Sequence, residues 1–138
     1  MKKTSVFLIA ILFSVLAFGQ NEEVKSKNSK LNIYYFHRTQ RCQTCLSIEE
    51  NTKNTLEQYF ANELSEGVIA FHVIDYEGDE DIDLIVKYNA DAPTLYLTKV
   101  KKGKETTKNL TDFAFNYSLH NADKYKNGLR DKINELLR

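Results

Sequence analysis

The sequence is poor in the residues that most often betray a functional site. Among 138 residues there are two cysteines, one proline and three histidines, and tryptophan is absent. Two thiols fall short of the four ligands that tetrahedral zinc usually takes, and His37, His72 and His120 are single and scattered. An excess charge of one sign is missing as well: 19 Lys and Arg balance 19 Asp and Glu. That balance gives no reason to expect nucleic acid or an anionic membrane surface as a partner. No internal repeat and no low-complexity segment is present. The length allows one domain with a real core and not two.

What is present begins with a single long apolar run. "MKKTSVFLIAILFSVLAFGQ" opens with two lysines, runs apolar from Val6 to Phe18 with only Ser14 between, and ends on Ala17-Phe18-Gly19. It reads as a secretory signal peptide over residues 1–19, cut near Gly19–Gln20. The alternative, a retained membrane anchor, needs about 20 spanning residues, more than this run supplies. No cysteine follows the cut, so a lipid anchor has no attachment point. The mature chain is therefore expected in the periplasm or secreted, free of the membrane. There, thiols meet oxidants and other proteins' disulfides. Residues 20–30, "QNEEVKSKNSK", are polar and read as a flexible tether.

The domain proper is expected over residues 31–138. "LNIYYF" is β-branched and aromatic, a buried strand, followed by the loop "HRTQR". From Cys42 the period becomes helical, with Cys45, Ile48, Thr52, Leu56, Tyr59, Phe60 and Leu64 at spacings of three and four, ending by Gly67. "VIAFHVID" is a second buried strand. "YEGDED" reads as an acidic helix start before Ile82, Leu84, Ile85 and Tyr88. "APTLYLTKV" is a third strand, turning through "KKGK" into "ETTKN" as a hairpin. Residues 110–120 fit a strand and a helix equally well. Tyr125, Leu129, Ile133, Leu136 and Leu137 make a terminal helical stripe. The leading β-α-β unit implies parallel pairing, with helices on both sheet faces.

Both cysteines fall in "FHRTQRCQTCLSIEE", at Cys42 and Cys45, where a strand gives way to a helix. A Cys-x-x-Cys can be a redox pair, half of a metal site or a structural clip. A thiol attacks a disulfide as its thiolate, and a free cysteine titrates near 8.5, so the anion needs support. The helix N-terminus supplies some. Arg41 is adjacent, and Arg38 and His37 share the loop. The two-residue spacing lets the pair close across one helical turn, cycling between dithiol and disulfide without a cofactor. The lone proline, Pro93 in "DAPTLYL", is either a plain strand-start proline or a cis-proline beside Cys42 that leaves the backbone of Ala92 free to pair with an incoming chain.

Strand, Cys-x-x-Cys at a helix start, strand, helix, Pro-Thr strand, hairpin and terminal helix together resemble the thioredoxin superfamily. "VKYNADAPTLYL" looks like that superfamily's stretch through its cis-proline. "YYFHRTQRCQTCLSIE" also resembles a group of small exported thioredoxin-like proteins, ArsF-like or nitrophenyl compound nitroreductase subunit ArsF family. The resemblance implies an α/β fold with a central mixed sheet of about four to five strands and helices on both faces. It implies Cys42 as the exposed attacking thiol, Cys45 as the buried resolving one and Pro93 as the cis-proline. Arg41, Gln43, Thr44, Ala92 and Pro93 are the expected contacts to substrate. The partners implied are a protein disulfide or dithiol client and a separate redox donor.

Three departures stand out. Arg41 replaces the usual aromatic residue, Gln43-Thr44 replaces Gly-Pro, and Phe36 stands where a buried acid is expected. These leave a second reading open, a non-enzymatic thioredoxin-like binding module with a structural disulfide, its surface drawn from "EGDEDID" or the aromatic 113–125 segment. A third is copper(I) handling by Cys42, Cys45 and one histidine.

Overall fold

A computed structural model describes residues 29–138. The leader expected over residues 1–19 lies outside the described residues. Ser29 and Lys30 are already held: the Lys30 N–H donates to the Val68 carbonyl at 2.9 Å, and the Lys30 carbonyl accepts from the Val100 N–H at 2.8 Å.

Four strands, β1 (Leu31–His37), β2 (Ile69–Asp75), β3 (Thr94–Lys101) and β4 (Lys104–Asn109), form one mixed sheet in the order β2-β1-β3-β4. β1 pairs parallel with β2 and antiparallel with β3, and β4 returns antiparallel along β3. All seven residues of β1 are buried, which is what a central strand covered on both faces requires. Its alternation divides the core. Leu31, Ile33 and Tyr35 face a large cluster completed by α1 (Gln43–Tyr59), α4 (Thr111–Tyr117) and α5 (Ala122–Leu137). Tyr34 and Phe36 face a smaller, aromatic cluster under α3 (Ile82–Tyr88). Helices therefore cover both faces, as the sequence implies.

α1 buries Cys45, Ile48, Thr52 and Leu56 on one stripe, the three-and-four spacing read from the sequence. It does not run unbroken to residue 64. Phe60 leaves helical geometry at φ −136° and ψ 28° while burying its ring, and the chain re-enters as the short α2 (Ala61–Ser65) before Gly67 turns at φ 71°. The hairpin is as expected: Lys102 and Gly103, at φ 52° and 74°, form the tight connection between Lys101 and Lys104. The ambiguous 110–120 stretch is helical, because Ala114 packs into the core while Phe115 points outward. Among the described residues no helix is long and apolar enough to cross a membrane.

Candidate functional site: the Cys42–Cys45 pair

β1 hands the chain to the site through residues 38–41, and the end of β2 with the turn after it pins this loop. The Thr39 N–H donates to Glu77 Oε2 at 2.9 Å, and the Thr39 hydroxyl donates to Asp75 Oδ2 at 2.8 Å. Arg38 pairs with Glu77 at 3.3 Å, and the Tyr76 N–H reaches the His37 carbonyl at 2.9 Å. The Thr39 hydroxyl, first, and then the Glu77 amide hold the Asp75 carboxyl below its ordinary value. The acids at Asp75 and Glu77 thus fasten the loop. The helix itself begins only at Ile82.

Cys42 is the N-cap of α1, in extended geometry at φ −86° and ψ 168°. Its sulfur accepts from the Cys45 N–H at 3.3 Å, the job a serine or aspartate oxygen does at other helix starts. The two sulfurs are 2.8 Å apart, both as free thiols. Cys42 is exposed, and Cys45 is 2% exposed. Their titrations are pushed apart. The Cys45 thiol, then the Cys45 amide, lowers Cys42, with the Thr44 amide adding to this. Burial, then the hydrogen bond to Cys42, raises Cys45. Gln43 is exposed and opens the helix; Thr44 acts through its amide, while its carbonyl accepts from the Ser47 hydroxyl at 2.9 Å.

The nearby cations do different work from what the sequence suggests. Arg41 is half-buried and pairs with Glu49, one turn of α1 beyond Cys45, and its other guanidinium nitrogen meets His37 Nε2. His37 Nδ1 donates to the Arg38 carbonyl at 2.9 Å. Both ring nitrogens of His37 are thus engaged. Arg38 and Arg41 each face a carboxylate, and the leading supports of the Cys42 thiolate are hydrogen bonds to its sulfur. Among the described residues, no group of three or more His, Cys, Asp and Glu side chains is placed to hold a metal ion. His72 stacks on Tyr34 at 4.7 Å and meets Asn32 Oδ1 at 3.1 Å, a satisfied sheet-face histidine.

Sequence reasoning passed over Tyr35. Counting six positions back from Cys42 lands on Phe36, which faces the aromatic cluster on the far side of the sheet. One residue earlier, the fully buried Tyr35 faces α1, and its hydroxyl donates to the Cys45 carbonyl at 3.0 Å. The strict alternation of β1 was the available signal.

Pro93 precedes β3. The β1–β3 register sets Thr94 opposite Phe36, so Ala92 and Pro93 lie at the sheet end from which the Cys42 loop departs. The expected cis bond is not there: among the described residues every peptide bond is trans, the intrinsically favoured form even before proline. Ala92 is exposed and Pro93 half-buried.

An exposed thiol of lowered pKa beside a buried one of raised pKa has the arrangement needed for attack by the first and closure by the second. No protein-family model and no curated protein matches the chain. Solved structures do. Chloroplastic thioredoxin z is similar over 86% of this chain and 89% of its own, at 14% identity and a TM-score of 0.51. Human ERp44 is similar over 85% of this chain and 27% of its own, at 18% identity and a TM-score of 0.50. Fasciola hepatica thioredoxin follows at 19% identity, with 83% and 88% coverage and a TM-score of 0.48. The first two likenesses, with the four-stranded mixed sheet covered on both faces, establish a thioredoxin-like α/β fold.

Proposed function

We propose that this protein is an exported thiol-disulfide exchange protein acting through Cys42 and Cys45, with a protein disulfide or dithiol as client. The observation that carries the reading is the split between the two thiols, one exposed and lowered, the other buried and raised. In the reducing direction the Cys42 thiolate attacks one sulfur of the client disulfide. The client S–S bond breaks, and its other sulfur leaves as a thiolate. Cys45 then loses its proton and attacks Cys42, forming the Cys42–Cys45 disulfide and releasing the second client sulfur. Two electrons pass to the client, and the oxidising direction is the exact reverse.

In this reading a client strand would meet Gln43, Thr44, Ala92 and Pro93, while Arg41 stays paired with Glu49. The leader over residues 1–19 supports a periplasmic or secreted location, and the stretch around residues 34–50 supports the ArsF-like group. A second reading, a docking module with a structural clip, draws support from the pairing of Arg38 and Arg41 with carboxylates instead of with the Cys42 sulfur. The test is a Cys45→Ser variant of the mature chain in oxidised glutathione. Exchange predicts a stable glutathione adduct on Cys42 that the parent chain resolves. An adduct on neither protein would favour the clip.

A further inference from the structure

Cys45 carries the harder half of the exchange. Its sulfur is buried and its thiol raised, yet it must become an anion to close on Cys42. The polar side chain that β1 sets against it is Tyr35. The Tyr35 hydroxyl donates to the Cys45 carbonyl at 3.0 Å, and its presence there works against the rise of the Cys45 thiol. Burial, and then Cys45 itself, raises the Tyr35 phenol far above its ordinary range, so the hydroxyl keeps its proton at neutral pH.

The surroundings leave few other candidates. In register with Tyr35 stand Val73 on β2 and Leu95 on β3, both apolar. The Tyr125 hydroxyl of α5 is engaged with Thr52 at 2.7 Å. The titratable and charged groups near the pair include Cys42, Arg38, Arg41, Glu49 and His37; Arg38 pairs with Glu77, and Arg41 is tied to both Glu49 and His37.

We propose that Tyr35 is a positioning residue for the resolving step, its hydroxyl holding Cys45 by the carbonyl in the dithiol and turning to the sulfur as that sulfur becomes a thiolate. This rests on the exchange reading above. Tyr35 donates a hydrogen bond and transfers no proton. The Cys45 proton leaves to the departing client thiolate or to water. The Cys45 anion then attacks Cys42, the Cys42–client bond breaks, and the client sulfur departs with the electron pair.

The test uses the reduced mature chain and the aromatic disulfide dithiobis(nitrobenzoate). Attack by Cys42 releases one coloured aryl thiolate, and closure by Cys45 releases the second. In Tyr35→Phe the first release keeps its rate within about twofold. The second slows about tenfold at neutral pH, and its pH midpoint rises by about one unit, the effect of one hydrogen bond to a charged group. The gap closes at high pH, which a purely structural role would not produce. A second release with the parent's midpoint overturns the proposal. A parent chain that releases only one aryl thiolate would instead count against the exchange reading. In that event, carbon-13 titration of Cys45 in Cys42→Ser, with and without Tyr35→Phe, still decides the point: an upward shift without the hydroxyl supports it, and an unmoved midpoint overturns it.

Discussion

The Cys42 sulfur lies 2.8 Å from that of Cys45 and 3.3 Å from the Cys45 amide nitrogen, so a single residue supplies both leading supports of the Cys42 thiolate. The thiol support is removable by substitution and the amide support is not. Alkylation of Cys42 across pH should therefore give a midpoint below the ordinary value of about 8.5. Cys45→Ala should raise that midpoint without restoring it fully, since the Cys45 and Thr44 amides remain. A midpoint in Cys45→Ala equal to the parent's would show that the sulfur–sulfur contact does not govern Cys42.

Arg41 is held by Glu49, both half-buried. Glu49→Gln keeps the shape and removes the charge that balances the guanidinium. The Cys42 midpoint should then fall, because an uncompensated cation near a thiol favours the anion. Stability should drop by about 1–2 kcal/mol in urea unfolding, the cost of unpairing a partly buried charge. A Cys42 midpoint that rises in this variant would contradict the pairing.

At the same sheet end, the Thr94 hydroxyl oxygen is buried with no hydrogen-bond partner among the described residues. Valine has nearly the same shape and no polar group to desolvate. Thr94→Val should be neutral or stabilising, by up to about 1 kcal/mol. A loss of more than about 1 kcal/mol on urea unfolding would mean that the hydroxyl has a partner after all.

His72 has its pKa lowered by burial, an effect that Asp81 partly offsets. The folded chain thus binds the His72 proton less readily than the unfolded chain. The stability it protects is complete above the ordinary histidine value of about 6.5 and is lost as pH falls from there through the lowered folded value. The slope from this one group cannot exceed about 1.4 kcal/mol per pH unit. His72→Gln should flatten the unfolding free energy below that pH. An unchanged acid limb would show that other groups set it.

Much of this was legible from residue order. The strand, Cys-x-x-Cys helix start, second strand, short helix, hairpin and terminal stripe all stand where hydrophobic period and turn chemistry place them. The features missed need three dimensions. Residues 110–120 satisfy both periods, and only packing of Ala114 against the core selects the helix. Phe60 fits the helical stripe and is buried, but its backbone leaves helical geometry and divides α1 from α2. Asp75 reads as a strand end and Glu77 as part of a solvated helix start, yet they hold a loop 36 to 39 positions away in the chain. Arg41 reads as a free charge beside a thiol, and its partner Glu49 is a helical turn beyond Cys45. Counting back to an expected acid reached Phe36, while the face toward Cys45 belongs to Tyr35.

The most direct test of the central claim is the equilibrium of Cys42 and Cys45 with glutathione redox buffers, read by mass. The account predicts one reversible two-electron transition, with the pair passing from dithiol to an intramolecular disulfide across the buffer range, and a Cys42–glutathione adduct accumulating only when Cys45 is replaced. A pair that stays in one state at every ratio, or a parent chain that holds glutathione on Cys42 without closing, would contradict it.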